Sequence, residues 1–170
     1  MNRYLFAVAS LAALLLVSFA RANAQEFHAK LAGFNEVPAA ILSEAQGTLK
    51  LDLDPAAKTL TYTLTYSAGF SSPILFAHIH FGKVHVAGGV IVFLCTNMGG
   101  PAGTLACPPA PGTVSGMIHS ADVIGPSGQG ISPGDFDGLE DALTSNTAYV
   151  NIHTTTHPPG EIRGEIHRAD

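Results

Sequence analysis

Two neighbouring runs, GTLKLDLD and TLTYTLTYS, alternate apolar and polar residues strictly, and that period of two commits the chain to β-structure. In the first, Leu49, Leu51 and Leu53 share one face, and Lys50, Asp52 and Asp54 the other. In the second, Leu60, Tyr62, Leu64 and Tyr66 oppose Thr59, Thr61, Thr63 and Thr65. The segment DPAAK between them supplies a turn, so the pair is a β-hairpin with one buried face. Tyr62 and Tyr66 read as packing residues of that face.

Further strands are expected at EFHAKLAGF, ILFAHIHF, VIVFLC, GTVSGMIH, TAYVNIHT and EIRGEIHR, about eight in all. The sequence SPGDFDGLEDALTSN differs in period. With Ser132 or Asp135 as a cap and Phe136, Leu139 and Leu143 on one side, it predicts a short helix in a crossover. The Gly- and Pro-rich stretches TNMGGPAGTLACPPAPG and IGPSGQGISPG are expected as surface loops. These elements predict a single all-β domain, a Greek-key sandwich, with no repeat and no dividing linker.

The N-terminus carries Arg3, then an apolar run from Leu5 to Ala20, then Ala22-Asn23-Ala24. That order is the pattern of a signal peptide cleaved after Ala24, leaving residues 25–170 as an exported domain, periplasmic or extracellular. The apolar run falls short of the roughly 20 residues that span a bilayer, so no stable membrane insertion is expected once it is removed. The net charge is −5 before Arg3 and Arg21 are lost. An acidic chain of this kind offers no nucleic-acid footprint. In an oxidising compartment the two cysteines, Cys95 and Cys107, are expected to pair; the other reading, a soft metal site, finds no histidine within the loop they bracket.

The eight histidines all follow the leader, and strand periodicity sorts them. In ILFAHIHF, His78 and His80 share a face with Phe76, opposite Leu75, Ala77 and Ile79. In TAYVNIHT, Tyr149, Asn151 and His153 point away from the core side of Val150 and Ile152. In EIRGEIH, Glu161, Arg163 and Glu165 do the same opposite Ile162 and Ile166. The outward faces of three strands therefore hold the polar chemistry. Residues i and i+2 on a strand stand roughly 7 Å apart, within reach of one ion at metal–nitrogen distances of about 2 Å. His78, His80 and His153 are thus candidate ligands for copper or zinc on the protein surface, with His85 in GKVHVAGG as the most economical fourth. The competing reading makes the same side chains a polar lattice that fixes strand register, with Glu161 and Arg163 paired to each other or to a turn. His28, His119, His157 and His167 are expected to face solvent or bond locally.

The blocks FHAKLAGFNEVP, TLTYTLTYSAGF, AHIHFG, VIVFLC and AYVNIHTTTHPPGEIRGEI, in this order and spacing, resemble the CHRD domain family. The intervening CTNMGGP, ACPP and DFDGL look like its single-domain bacterial members. The resemblance implies an exported immunoglobulin-like β-sandwich and prescribes little chemistry. More locally, AHIHFG is similar to the H-x-H-x-F-G copper-ligand strand of Cu/Zn superoxide dismutase. His78 and His80 match it, and His153 and Arg163 stand for a further ligand and a substrate-guiding arginine. The bridging Gly-His-His region and the zinc-loop aspartate of that family are missing. Three functions follow: a metal-binding module, a module that recognises an extracytoplasmic protein or polysaccharide, and a copper-dependent redox protein. Hydrolytic motifs such as G-x-S-x-G and H-E-x-x-H do not occur, so enzymatic chemistry would be confined to a bound copper.

Overall fold

The computed structural model describes residues 24–169. The leucine-tyrosine hairpin forms as its alternation requires: strands β2 (Gln46–Asp54) and β3 (Thr59–Tyr66) pair antiparallel, with Leu49, Leu53, Leu60 and Leu64 fully buried. Strand β1 (Gln25–Ala32) pairs with β2 on one side, and β6 (Gly112–Ile118) pairs with β3 on the other. Strands β4 (Ile74–Phe81) and β5 (Gly89–Thr96) form a second hairpin, whose other neighbour is β7 (Ala148–Thr154).

The expected immunoglobulin-like sandwich of two sheets is not what joins these halves. One antiparallel sheet runs continuously in the order β5-β4-β7-β8-β1-β2-β3-β6, and a two-residue strand β9 (His167–Arg168) pairs with β1. The reason lies in β8 (Ile162–Glu165), which is only four residues long yet pairs with β7 along its length and with β1 at Ala32 opposite Arg163. It bridges what would otherwise be two sheets. The sheet curls until its edge strands β5 and β6 come side by side, giving a nearly closed barrel. Tyr62 helps to close it by donating its hydroxyl to the carbonyl of Leu94 on β5 at 2.6 Å. The ring supplies packing and the hydroxyl a buried cross-link.

The predicted crossover helix is present as α1 (Phe136–Thr144), between β6 and β7. Asp135 is its cap, accepting from the Gly138 amide at 3.0 Å, and Phe136, Leu139, Ala142 and Leu143 face the core. The leader expected over residues 1–24 lies, but for Ala24, outside the described residues. Among the described residues no helix is long and apolar enough to cross a membrane.

Cys95 and Cys107 form a disulfide across 12 positions, tying β5 to the Gly/Pro-rich loop that follows it. The Asn97 side chain pins the same loop by accepting from the Cys107 amide at 3.1 Å and donating to the carbonyl of Ile74 at 3.0 Å. A closed loop of this size stabilises a fold by ~3 kcal/mol. Replacing both cysteines with serine is expected to remove about that much stability in urea unfolding. An unchanged midpoint would mean that the Asn97 bonds alone hold the loop.

Candidate metal centre

The three-strand polar face assembles through register. Phe76 lies opposite His153, His78 opposite Asn151, and His80 opposite Tyr149; on the far side of β7, Asn151 faces Arg163 and Tyr149 faces Glu165. Side chains of directly paired residues share a face. The two-residue spacing on β4 and β7 therefore sets the three imidazoles around one point. One ring nitrogen from each of His78, His80 and His153 lies within 4.8 Å of the others.

The face is not on the surface, as strand alternation alone would have it. His78, His80 and His153 are 4%, 7% and 5% exposed, and Tyr149, Asn151 and Arg163 are equally enclosed. Segments without periodicity cover them. The turn from Gly82 to Gly88 folds back so that His80 Nδ1 meets the Gly88 carbonyl at 3.0 Å and the Tyr149 hydroxyl accepts from the Gly88 amide at 3.0 Å. A Cβ at Gly88 would stand 1.7 Å from the Phe81 carbonyl oxygen, so only glycine permits this approach. Beyond β7, the turn carrying Pro158 brings its carbonyl to 2.9 Å from His153 Nδ1. Its Gly160, at φ +145°, packs its α-carbon against Asn151.

With those carbonyls accepting, His80 and His153 each carry the proton on Nδ1 and present Nε2 as a lone pair. Neither Nε2 has a partner, and His78 has none at either nitrogen. Phe76 stacks on His78 with centroids 4.7 Å apart, and Phe93 meets it edge-on at 4.1 Å. Burial drives all three imidazoles toward the neutral form, His78 to about 2 and His80 and His153 to about 4; the mutual repulsion of protonated rings lowers His78 further. Neutral imidazoles with free, converging lone pairs are in the state that binds a metal ion.

His85 is exposed at the tip of the covering turn, at φ +61°, and is not part of the converging group. His28, His119 and His167 are exposed and His157 half-buried. Arg163 does not pair with Glu161. Its guanidinium bonds Glu165 at 2.8 Å, donates to the carbonyl of Val86 at 3.2 Å, and lies 3.5 Å over the Tyr149 ring, which stacks on His80 at 4.7 Å. Glu161, the remaining polar residue expected here, turns away at the strand end. It accepts from the Ser43, Ser71 and Thr154 hydroxyls and from the Ser71 amide. Burial opposes its charge, but these bonds outweigh the burial and hold its carboxyl below the ordinary value.

The family model for the CHRD domain matches residues 27–166. The chain belongs to the CHRD domain family. That match takes in every strand that builds the histidine face. Comparison with curated proteins finds no match.

One residue of this CHRD domain escaped the reading of the sequence. Glu36, alone in an aperiodic stretch, is 7% exposed and accepts from Asn151 Nδ2 at 3.3 Å. Burial pushes its carboxyl up to about 7, with the Asn151 bond and Arg163 pulling the other way. Its folded pKa thus exceeds its unfolded one, so its contribution to stability is complete below about pH 4.5 and is lost as pH rises through about 7. Glu36→Gln should therefore raise the melting temperature at pH 8 and raise it progressively less as pH falls toward about 5.5. A shift of the same size across that range would show that the carboxyl does not titrate there.

Proposed function

We propose that this CHRD domain is an exported binding module whose His78, His80 and His153 take up one copper or zinc ion. The observation that carries this reading is the distribution of unsatisfied polar atoms. Nine buried side-chain atoms among the described residues have no hydrogen-bond partner, and all but Gln25 Oε1 belong to the histidine face or the side chains against it. Four of them are the imidazole nitrogens of the trio. Leaving a buried polar atom unpaired costs about 1–3 kcal/mol, and a cluster concentrated at one place calls for a ligand. A polar lattice that only fixed register would have satisfied them with one another. The disulfide agrees with export, and the acidic balance leaves the metal-or-surface readings in place of nucleic acid.

The reading is tested by thermal unfolding with and without added metal. An ion that binds the folded state alone adds about 4 kcal/mol at a thousand times its Kd. Copper or zinc should raise the melting temperature of the wild type by several degrees and leave His153→Ala unmoved. Equal shifts in both would place any binding elsewhere.

A second reading has its own observation. Phe34 and Leu42 are 69% and 90% exposed, and Val84 and Val86 stand out from the turn over the histidines. Apolar side chains on loops suit recognition of an extracytoplasmic protein or polysaccharide, which would need no metal. A dismutase-like role is the least supported. Arg163, the residue that would guide an anionic substrate, is fully buried and already engaged by Glu165, Tyr149 and two backbone carbonyls.

A further inference from the structure

The charge and enclosure of the histidine group bear on which ion it takes, an inference that rests on the metal-binding reading above. We infer that the site is built for monovalent copper, held by His78, His80 and His153 alone, in preference to zinc.

Among the described residues no carboxylate joins the three converging nitrogens. Glu36 bonds Asn151 and Glu165 bonds Arg163, each through one oxygen, while Glu161 is turned to Ser43, Ser71 and Thr154. The Arg163 guanidinium, held against Tyr149 beside His80, is balanced by its ion pair with Glu165, so the two together bring no net negative charge to the group. A cation entering here keeps its full charge in a medium from which water is excluded, since the free imidazole nitrogens are out of solvent contact. The cost of desolvating an ion grows as the square of its charge, so a divalent ion is penalised about fourfold more than a monovalent one of similar size.

Coordination number points the same way. Zinc with three protein ligands completes a tetrahedron with water. Here the His78 ring lies against Phe76 and Phe93, which offer no hydrogen bond to a bound water on that side, and His85 is not placed to serve as a fourth ligand. Three imidazoles without water satisfy monovalent copper. Imidazole suits zinc and copper alike, and the singly charged ion is the one for which a neutral, aromatic-walled, closed group of nitrogens costs least.

The test is an anaerobic competition on the intact mature protein. Copper(I) is titrated against bicinchoninate and zinc against a chromophoric zinc chelator, with His80→Ala and His153→Ala checked for folding by circular dichroism. The expected result is one copper(I) per chain, bound at least ~100-fold more tightly than zinc, with a similar loss in either variant. The loaded protein should stay free of a copper(II) paramagnetic signal in air. Zinc bound as tightly as copper(I), or a stoichiometric copper(II) signal, would overturn this inference and leave the metal-binding reading standing. Binding of neither ion would overturn both.

Discussion

Lowering the pH of the metal-free protein from 6.5 to 4 is expected to unfold it or nearly so. The three buried histidines bind protons readily when unfolded and poorly when folded, because burial holds His80 and His153 at about 4 and His78 at about 2. Their contribution is therefore present above about pH 6.5, the unfolded value, and is lost as pH falls toward the folded ones. For one group moved from 6.5 to about 4 the loss is ~3 kcal/mol, so two or three together rival the ~5–15 kcal/mol that holds a typical domain folded. Glu36 works in the opposite direction between about 4.5 and 7, but it is one group against three. Glu161, held below its ordinary value, adds to the acid loss only at lower pH. Urea unfolding at half-unit pH steps should show stability rising between pH 4 and 6.5. Replacing all three histidines with leucine should flatten that rise. A wild type equally stable at pH 4 and 7 would mean that the rings are hydrated and titrate normally.

Arg163→Ala is expected to lose about 3–5 kcal/mol, the usual cost of removing one partner of a buried ion pair. Arg163 is fully buried and joins three things: Glu165 on its own strand, the Tyr149 ring that backs His80, and the carbonyls of Lys83 and Val86 in the covering turn. Its loss strands Glu165 and frees the turn, so the 82–88 segment should become sensitive to proteases under native conditions. Arg163→Lys should recover only part of the loss, because an ammonium cannot fork between a carboxylate and two carbonyls while stacking on a ring. A loss below about 1 kcal/mol with the turn still protected would show that the ion pair is exposed enough to be replaced by water.

The face that carries the site was legible in the sequence because period two is a local property. Alternation in ILFAHIHF, TAYVNIHT and EIRGEIH is enough to put His78, His80, Tyr149, Asn151, His153 and Arg163 on one side, and register then brings them together. The same local rule fails on burial. A strand face opposite the core reads as wet, whereas both faces of β7 are buried here, since the cover comes from segments with no pattern to read. Glu36 was missed for that reason, and so was the role of the turn over Arg163. The pairing of Arg163 with Glu165 is a choice between two acidic neighbours at equal spacing, and it is distant residues that decide it, since Ser43 and Ser71 take up Glu161. The single continuous sheet rests on β8 alone, where four residues reach both neighbours, and nothing in so short a run announces a second partner.

The central claim is that the converging histidines exist to hold a metal ion. It is tested most directly by elemental mass spectrometry of the protein expressed from the full chain and purified without chelator or affinity tag, beside a His78, His80 and His153 triple-alanine variant. The account predicts close to one copper or zinc per wild-type chain and none in the variant. A wild type that emerges metal-free and takes up neither ion when it is added would contradict it.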